Sequence, residues 1–355
     1  MSRIKRNILR ELTDCINPYA WVMAARNKAF DTGVFKSRRF DIPTICVGNI
    51  SVGGTGKTPH IEYIARLLKE EFRIAVLSRG YGRKSRGYIK AGSHSTMQQI
   101  GDEPFQIKNK FKEIDVAVCE KRVCGIEQLL KENGQLQVVL LDDAFQHRHV
   151  KSGLNILLID SNRPVWNDCV MPFGRLRERI SGIERADIVI MTKCREMTEA
   201  QMTACREFIG RYRNIPVYFS SIRYGKLYHL HTTARSAEIV PGSKLLLVTG
   251  IAKPQPLKNE IEGRGANVTL MQYGDHHDFS GSEFEEIAKQ FHDGGYDMIV
   301  TTEKDASRLL NRDDLPQTMR DNTYVMPIEM EILNGEEKLF NQNIYNYVTE
   351  NSRNS

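Results

Sequence analysis

Residues 51–59 read SVGGTGKTP. The stretch ends in Gly-Lys-Thr, as a phosphate-gripping loop ends. Ser51 stands where the pattern G-x-x-x-x-G-K-[ST] opens on glycine. The flanks decide what the loop joins. Upstream, "TICVGNI" (44–50) is an apolar run of strand length. Downstream, "HIEYIARLLKEEF" (60–72) has the apolar spacing of an amphipathic helix. Strand, Gly-rich loop and helix form the context the motif needs. Gly53, Gly54 and Gly56 lack Cβ, so backbone N–H groups can turn toward phosphate oxygens. The helix that follows adds the positive end of its dipole. Lys57 can reach the β- and γ-phosphates, and the Thr58 hydroxyl can ligate Mg²⁺. The first glycine mainly serves the turn, and a small Ser can adopt it. The nucleotide reading of Ser51, Val52, Gly53, Gly54, Thr55, Gly56, Lys57 and Thr58 therefore survives the substitution.

Beyond the loop, apolar strand-length runs alternate with helical stretches. They are "RIAVLS", "DVAVC", "QVVLLDD", "LNILLID", "ADIVIMT" and "PVYFSS". Continuous apolar strands separated by helices predict an α/β fold with a parallel sheet covered on both faces. Around 220–235 the pattern breaks into a polar hairpin or linker. A second set of strands follows: "KLLLVTGIA", "ANVTLMQYG", "DMIVTTEKD" and "TYVMPIEM". The expected division is 1–40, a basic amphipathic segment; 41–224, the phosphate-loop domain; and 225–348, a smaller α/β domain.

The 355 residues suffice for two domains with real cores, and the apolar (41%) and charged (26%) fractions are those of a soluble globular protein. No apolar run is long enough to span a bilayer, and the first residues are too polar for a secretory signal. Seven scattered cysteines with no C-x-x-C pair point to free thiols. Residues 1–40 hold nine Lys or Arg and three acids, which accounts for the whole formal net charge of +6. The same segment carries Ile4, Ile8, Leu12 and Ile16 at helical spacing, then Tyr19, Trp21, Val22 and Met23. Such a segment suits the headgroup layer of an anionic membrane, or else packs on the domain with a solvated basic face. Nothing interleaves aromatics with basic residues as a single-strand nucleic-acid binder does.

"QVVLLDDAFQHR" ends a strand in Asp142-Asp143. A carboxylate at the tip of a neighbouring strand is the second half of a phosphate-loop site, where it holds Mg²⁺ or its water. Adjacent acids on a strand point to opposite sides, so one can face a metal while the other is structural. His147 and His149 read as structural or substrate-contacting. "MPFGRLRE" brings Arg175, Arg177 and Glu178, and arginine suits phosphate clamping. "GDEPFQI" puts Asp102 and Glu103 at a helix start, where acids also serve simply as caps. "YGDHHDFS" clusters His276, His277 and Asp278. "SRGYGRKSRGY" offers Arg79, Arg83, Lys84 and Arg86 to an anionic group. A guanine-selective switch needs Asn/Thr-Lys-x-Asp. "MTKCR" has Thr192-Lys193 but Arg195 in place of Asp, which favours ATP over a GTPase reading.

Taken in order, "VGNISVGGTGKTP", "SRGYGR", "GDEP", "LLDDAFQHR", "MPFGRLRE", "DHHDF" and "TEKDA" resemble the tetraacyldisaccharide 4′-kinase family of lipid A biosynthesis. The likeness runs from the basic N-terminus to about residue 310. The one departure is Ala144, where the family writes Gly in "DDGFQHR". The resemblance implies a P-loop kinase of two α/β/α units with its site in the cleft between them. ATP would be the phosphate donor, with Mg²⁺, and the acceptor the 4′-hydroxyl of a lipid disaccharide 1-phosphate. No obligate protein partner is implied. The protein would lie peripherally on the cytoplasmic face of the bacterial inner membrane, its N-terminal helix on the anionic surface. By the same resemblance Asp102 is the catalytic carboxylate, with His276 as its partner. Lys57 assists catalysis, and Asp142, Asp143, Glu178 and Thr58 lie in the metal region. Arg79, Arg83, His147 and Arg177 are the expected substrate contacts. A P-loop GTPase or regulatory switch and a kinase of a soluble metabolite are the alternatives.

Overall fold

The structure, a computed structural model, describes residues 13, 16–275, 277–310 and 312–352. The apolar spacing at Ile4, Ile8 and Leu12 lies outside the described residues, as does His276.

The first eight strands are β1 (Thr44–Gly48), β2 (Ile74–Ser78), β3 (Ile89–Lys90), β4 (Asp115–Val118), β5 (Val138–Asp142), β6 (Leu154–Asp160), β7 (Ile188–Thr192) and β8 (Val217–Tyr224). The next six are β9 (Leu227–His229), β10 (Ser236–Ala237), β11 (Lys244–Thr249), β12 (Asn267–Gln272), β13 (Met298–Thr302) and β14 (Thr323–Met326). The last is β15 (Ile328–Ile332). They build a nine-stranded sheet in the order β15-β8-β7-β6-β1-β5-β2-β4-β3. A six-stranded sheet follows the order β10-β9-β14-β13-β11-β12. The large sheet is parallel from β8 to β4, with antiparallel strands only at its two edges. Every residue of β1, β2, β5 and β7 is buried, as strands covered on both faces require.

The alternation of side chains along β1 divides the core. Ile45 and Val47 face one side and join Ile61, Ile64 and Leu68 of the helix after the loop. Cys46 faces the other side with Ile126, Leu129 and Phe208. That helix, α1 in the sheet-covering set, spans Lys57–Leu68 and buries the stripe that its sequence spacing predicted.

The expected second unit of 225–348 is divided by the chain's return. Pairing of β15 with β8 carries 328–332 back to the large sheet. The helix α2 (Glu337–Asn351) buries Phe340, Ile344 and Val348, four apart, on the same face as α1. The Tyr347 hydroxyl donates to the Thr44 carbonyl at 3.1 Å. One side of α2 had to cover apolar strand residues that α1 leaves exposed, so the first unit is completed by the end of the chain. Of the hairpin or linker expected around 220–235, residues up to Tyr224 still belong to β8, and beyond them β9 and β10 pair antiparallel.

The N-terminal helix (Pro18–Asp31) is docked, not free. Its N-cap Asn17 is fully buried and donates to the carbonyl of Met171 at 2.8 Å. The Tyr19 hydroxyl donates to the Arg177 carbonyl, and Arg26 to that of Gln146. Trp21 and Val22 on this helix are exposed, as are Ile16 before it and Val34 and Phe35 after it. Among the described residues, no helix is long and apolar enough to cross a membrane.

Candidate active site

A cleft of about 2050 Å³ opens between the two units. The large sheet supplies Val52–Pro59, Asp142, Asp143 and His147; the small one supplies Asp275, Thr302, Lys304 and Met326. The loop enters it because β1 is the central strand, and ends in the middle of the sheet's C-terminal edge. Gly53 and Gly56 have φ of +111° and +85°, a backbone that a Cβ would strain. Ser51 needs no such conformation. It forms a bridge with Leu176, and Val52 N–H donates to the Arg175 carbonyl at 2.8 Å. Ser51 thus anchors the loop and does not itself line the cleft.

Three side chains outside the loop fix it. The Asn49 amide donates to Thr55 Oγ1 at 2.8 Å. Lys193 Nζ donates to the Gly54 carbonyl at 2.7 Å and to Asp160 Oδ2 at 2.5 Å. Lys193, from the pair that fell short of a guanine motif, thus braces the phosphate loop. His60 Nδ1 lies 2.7 Å from the Gly56 carbonyl, and its Nε2 lies 3.0 Å from Ser220 Oγ. A carbonyl only accepts, so Nδ1 carries the proton and Nε2 accepts from Ser220. Burial pushes His60 down to about 4 from its ordinary 6.5. The folded state then binds fewer protons than the unfolded chain between those values. Stability is intact above pH 6.5 and is lost as pH falls toward 4, by at most about 3 kcal/mol. Urea unfolding of the protein and of His60→Gln at pH 7 and pH 4.5 checks this. The variant is expected to lose less stability on acidification, and an equal loss in both would refute the assignment.

Asp142, the last residue of β5, lies opposite Val47 in the pairing of β5 with β1. It is buried, its Oδ2 accepts from Ser78 at 3.1 Å, and its Oδ1 has no hydrogen-bond partner. Burial first, then Glu103 and Asp143, push its carboxyl up to about 7 against the pull of Lys57. Asp143 takes a left-handed φ of +46°. The left-handed residue of this turn is therefore Asp143, and Ala144 is free of that strain. Burial would raise Asp143, but Lys57 at 3.7 Å and Arg177 at 2.9 Å hold it below the ordinary carboxylate range.

These residues fit Mg²⁺. Asp142 offers a buried oxygen without a partner, and the charges of Glu103 and Asp143 act on it. A small hard cation supplies both the missing ligand and the missing charge. Among the described residues no three His, Cys, Asp or Glu side chains stand close enough to cage a metal. Mg²⁺ takes one or two carboxylates and completes its shell with phosphate and water. Asp142, Asp143 and Thr58 are the residues that would hold it.

Glu178 does not join them. It is 1% exposed, and its two oxygens accept from Asn27, Gln146 and Arg185 at 2.7–2.9 Å. It ties the N-terminal helix to the loop after β5, and its expected place in the metal region is withdrawn because its lone pairs are already used. Arg83, expected among the substrate contacts, does not line the cleft. Its side chain is 3% exposed, pairs with Glu120 and donates to the Gly87 carbonyl at 2.7 Å. Arg79, His147 and Arg177 do line the cleft. Burial, helped by Arg122 and Arg79, pushes His147 down to about 4. His149 instead packs edge-on against Phe30.

Asp102 opens the helix Asp102–Lys110 after Gly101, whose φ is +90° and where a Cβ would meet the Tyr81 carbonyl at 2.8 Å. Glu103 lines the cleft. The Asp102 carboxylate, 24% exposed, accepts from Arg308 Nη2 at 2.6 Å, across the two units. Next to His276, Asp275 accepts from Lys304, while His277 stacks on Tyr273 and pairs with Glu283 at 2.9 Å.

Comparison with known proteins agrees with this geometry. A protein of Phocaeicola vulgatus named tetraacyldisaccharide 4′-kinase is 44% identical over 98% of both chains. One of the same name from Bacteroides thetaiotaomicron is 44% identical over 95% of this chain and 94% of its own. A crystal structure of LpxK from Aquifex aeolicus in complex with ATP superposes with a TM-score of 0.74 at 27% identity. It covers 98% of this chain and all of its own. The family model of tetraacyldisaccharide-1-P 4′-kinases matches residues 12–349, and the chain belongs to that family.

Proposed function

We propose that this chain transfers the γ-phosphate of ATP to the 4′-hydroxyl of a tetraacyldisaccharide 1-phosphate. The observation that carries the reading is the register of β1 and β5, which sets Asp142 and Asp143 against the loop that holds Lys57. Backbone N–H groups of the loop surround the triphosphate, and Lys57 with Arg177 offsets its charge. Bound Mg²⁺ would neutralise charge developing between the β- and γ-phosphoryl oxygens. Asp102 orients the acceptor hydroxyl and takes its proton late, as the new P–O bond forms and the bond to the departing ADP breaks. His276, which lies outside the described residues, is assigned as its partner.

The protein sits on the cytoplasmic face of an anionic inner membrane. Supporting this are the exposed Ile16, Trp21, Val22, Val34 and Phe35, with Lys28, Lys36, Arg38 and Arg39 in the same segment. Incubation with γ-labelled ATP, Mg²⁺ and the disaccharide monophosphate lipid, followed by organic extraction, tests the reaction. Label is expected in the organic phase, and label left entirely in water refutes it. Sedimentation with phosphatidylglycerol vesicles tests the surface. Trp21→Glu with Val22→Glu is expected to leave the protein in the supernatant, whereas cosedimentation unchanged from wild type counts against membrane contact.

A further inference from the structure

Arg308 lies one turn into the helix Glu303–Leu309, which follows β13 in the second unit. Its side chain is 4% exposed. The guanidinium forks. Nη1 donates to Asp305 Oδ1 at 2.8 Å, and Nη2 donates to Asp102 Oδ2 at 2.6 Å. Asp305 is fully buried and is itself immobilised. Its Oδ2 accepts from Thr249 Oγ1 at 2.7 Å, Thr302 Oγ1 at 2.8 Å and the Gly250 N–H at 3.1 Å. A Cβ at Gly250 would come within 3.3 Å of Asp305 Oδ1 and 2.9 Å of the Gly274 carbonyl, so glycine lets that backbone close on the carboxylate. The ends of β11 and β13 thus hold Asp305, Asp305 holds Arg308, and Arg308 holds a carboxylate of the other unit.

We propose that Arg308 is a positioning residue for Asp102, through which the second unit sets the rotamer of the catalytic carboxylate. The proposal rests on the assignment of Asp102 to the acceptor hydroxyl. A planar guanidinium whose one edge is pinned by Asp305 presents its other edge in a fixed direction. A partly exposed aspartate without that partner has several staggered rotamers open to it. Lysine keeps the charge but not the fork, so it cannot hold both carboxylates in one plane.

The test compares Arg308→Ala, Arg308→Lys, Asp102→Asn and the Asp102→Asn/Arg308→Ala double variant in the full-length protein. Turnover is measured with ATP, Mg²⁺ and the lipid disaccharide in detergent, together with thermal melting. Arg308→Ala is expected to lower kcat about a hundredfold, as misplacement by an ångström does, with the KM for ATP changed by no more than about twofold. Added guanidinium should recover part of kcat in Arg308→Ala. It should recover none in the double variant, where Arg308→Ala should cost under about threefold beyond Asp102→Asn. If Arg308→Ala does not fold, Arg308→Lys decides. A fall in kcat at unchanged melting temperature supports positioning, and wild-type kcat overturns it. An active Arg308→Ala beside an inactive Asp102→Asn overturns the role of Arg308 and leaves that of Asp102 standing. A fully active Asp102→Asn removes the assignment of Asp102 itself.

Discussion

Lys57→Ala is expected to lower turnover by about two to three orders of magnitude, the loss seen when one preorganised electrostatic group is removed from a water-poor site. Lys57 is the first residue of its helix and stands 3.7 Å from Asp143 Oδ2. It also draws down both adjacent aspartates, and is the strongest cation opposing the rise at Asp142. Its removal therefore strips charge from the transferring phosphoryl group and leaves the acidic pair less compensated. Its side chain is 17% exposed and fills no core position, so the fold should persist. Single-turnover transfer of label from γ-labelled ATP to the lipid measures the effect apart from product release. A loss under about tenfold would show that Lys57 carries little of the developing charge.

Asp102→Asn is expected to lower kcat at least about a hundredfold, the usual weight of a positioned proton acceptor, while the KM for ATP changes little. Asparagine has the same shape, and its amide oxygen can still accept from Arg308. What it loses is the negative charge and the capacity to take a proton. Alanine would lose the ion pair to Arg308 as well and leave that guanidinium buried with a partner missing, so the isosteric change is the cleaner probe. Glu103→Gln serves as the neighbouring control. Glu103 lines the cleft and is the largest charge raising Asp142 after burial, so its loss should alter metal dependence more than proton acceptance. If Glu103→Gln abolished turnover and Asp102→Asn did not, the two acids would exchange roles.

Local chemistry was enough to find the parts whose cause is local. Each apolar run quoted from 44 to 326 became a strand; β1, β2, β5 and β7 are buried along their whole length, whereas the edge strand β12 is only partly buried. The loop from Ser51 to Thr58 was legible through its glycines, since φ values of +111° and +85° are open to little else. Ser51 itself was legible only in part. That it could be tolerated followed from its size, but its bridge to Leu176 depends on a segment 125 positions away.

Glu178 and Arg83 show the opposite limit. A motif places a charged residue near a site, but whether its atoms face solvent, substrate or other protein donors is a matter of packing. Asn27, Gln146 and Arg185 consume every strong acceptor position of Glu178, and none of them is near it in a way that spacing reveals. The same holds for the last strand and helix, whose patterns fit either sheet. They joined the first because α1 alone left part of that face uncovered.

By itself the sequence determined the α/β class, the central phosphate loop, the acidic pair at the next strand's tip and the basic N-terminal segment. These follow from side-chain periodicity and backbone freedom, which act over a few residues. Only the tertiary structure decided that Lys193 braces the loop, that Asp143 takes the strained turn, and that Arg308 reaches Asp102 from the other unit. Hydrogen bonds and ion pairs act over about 3 Å, and residues 206 positions apart come within that distance only once both sheets have folded.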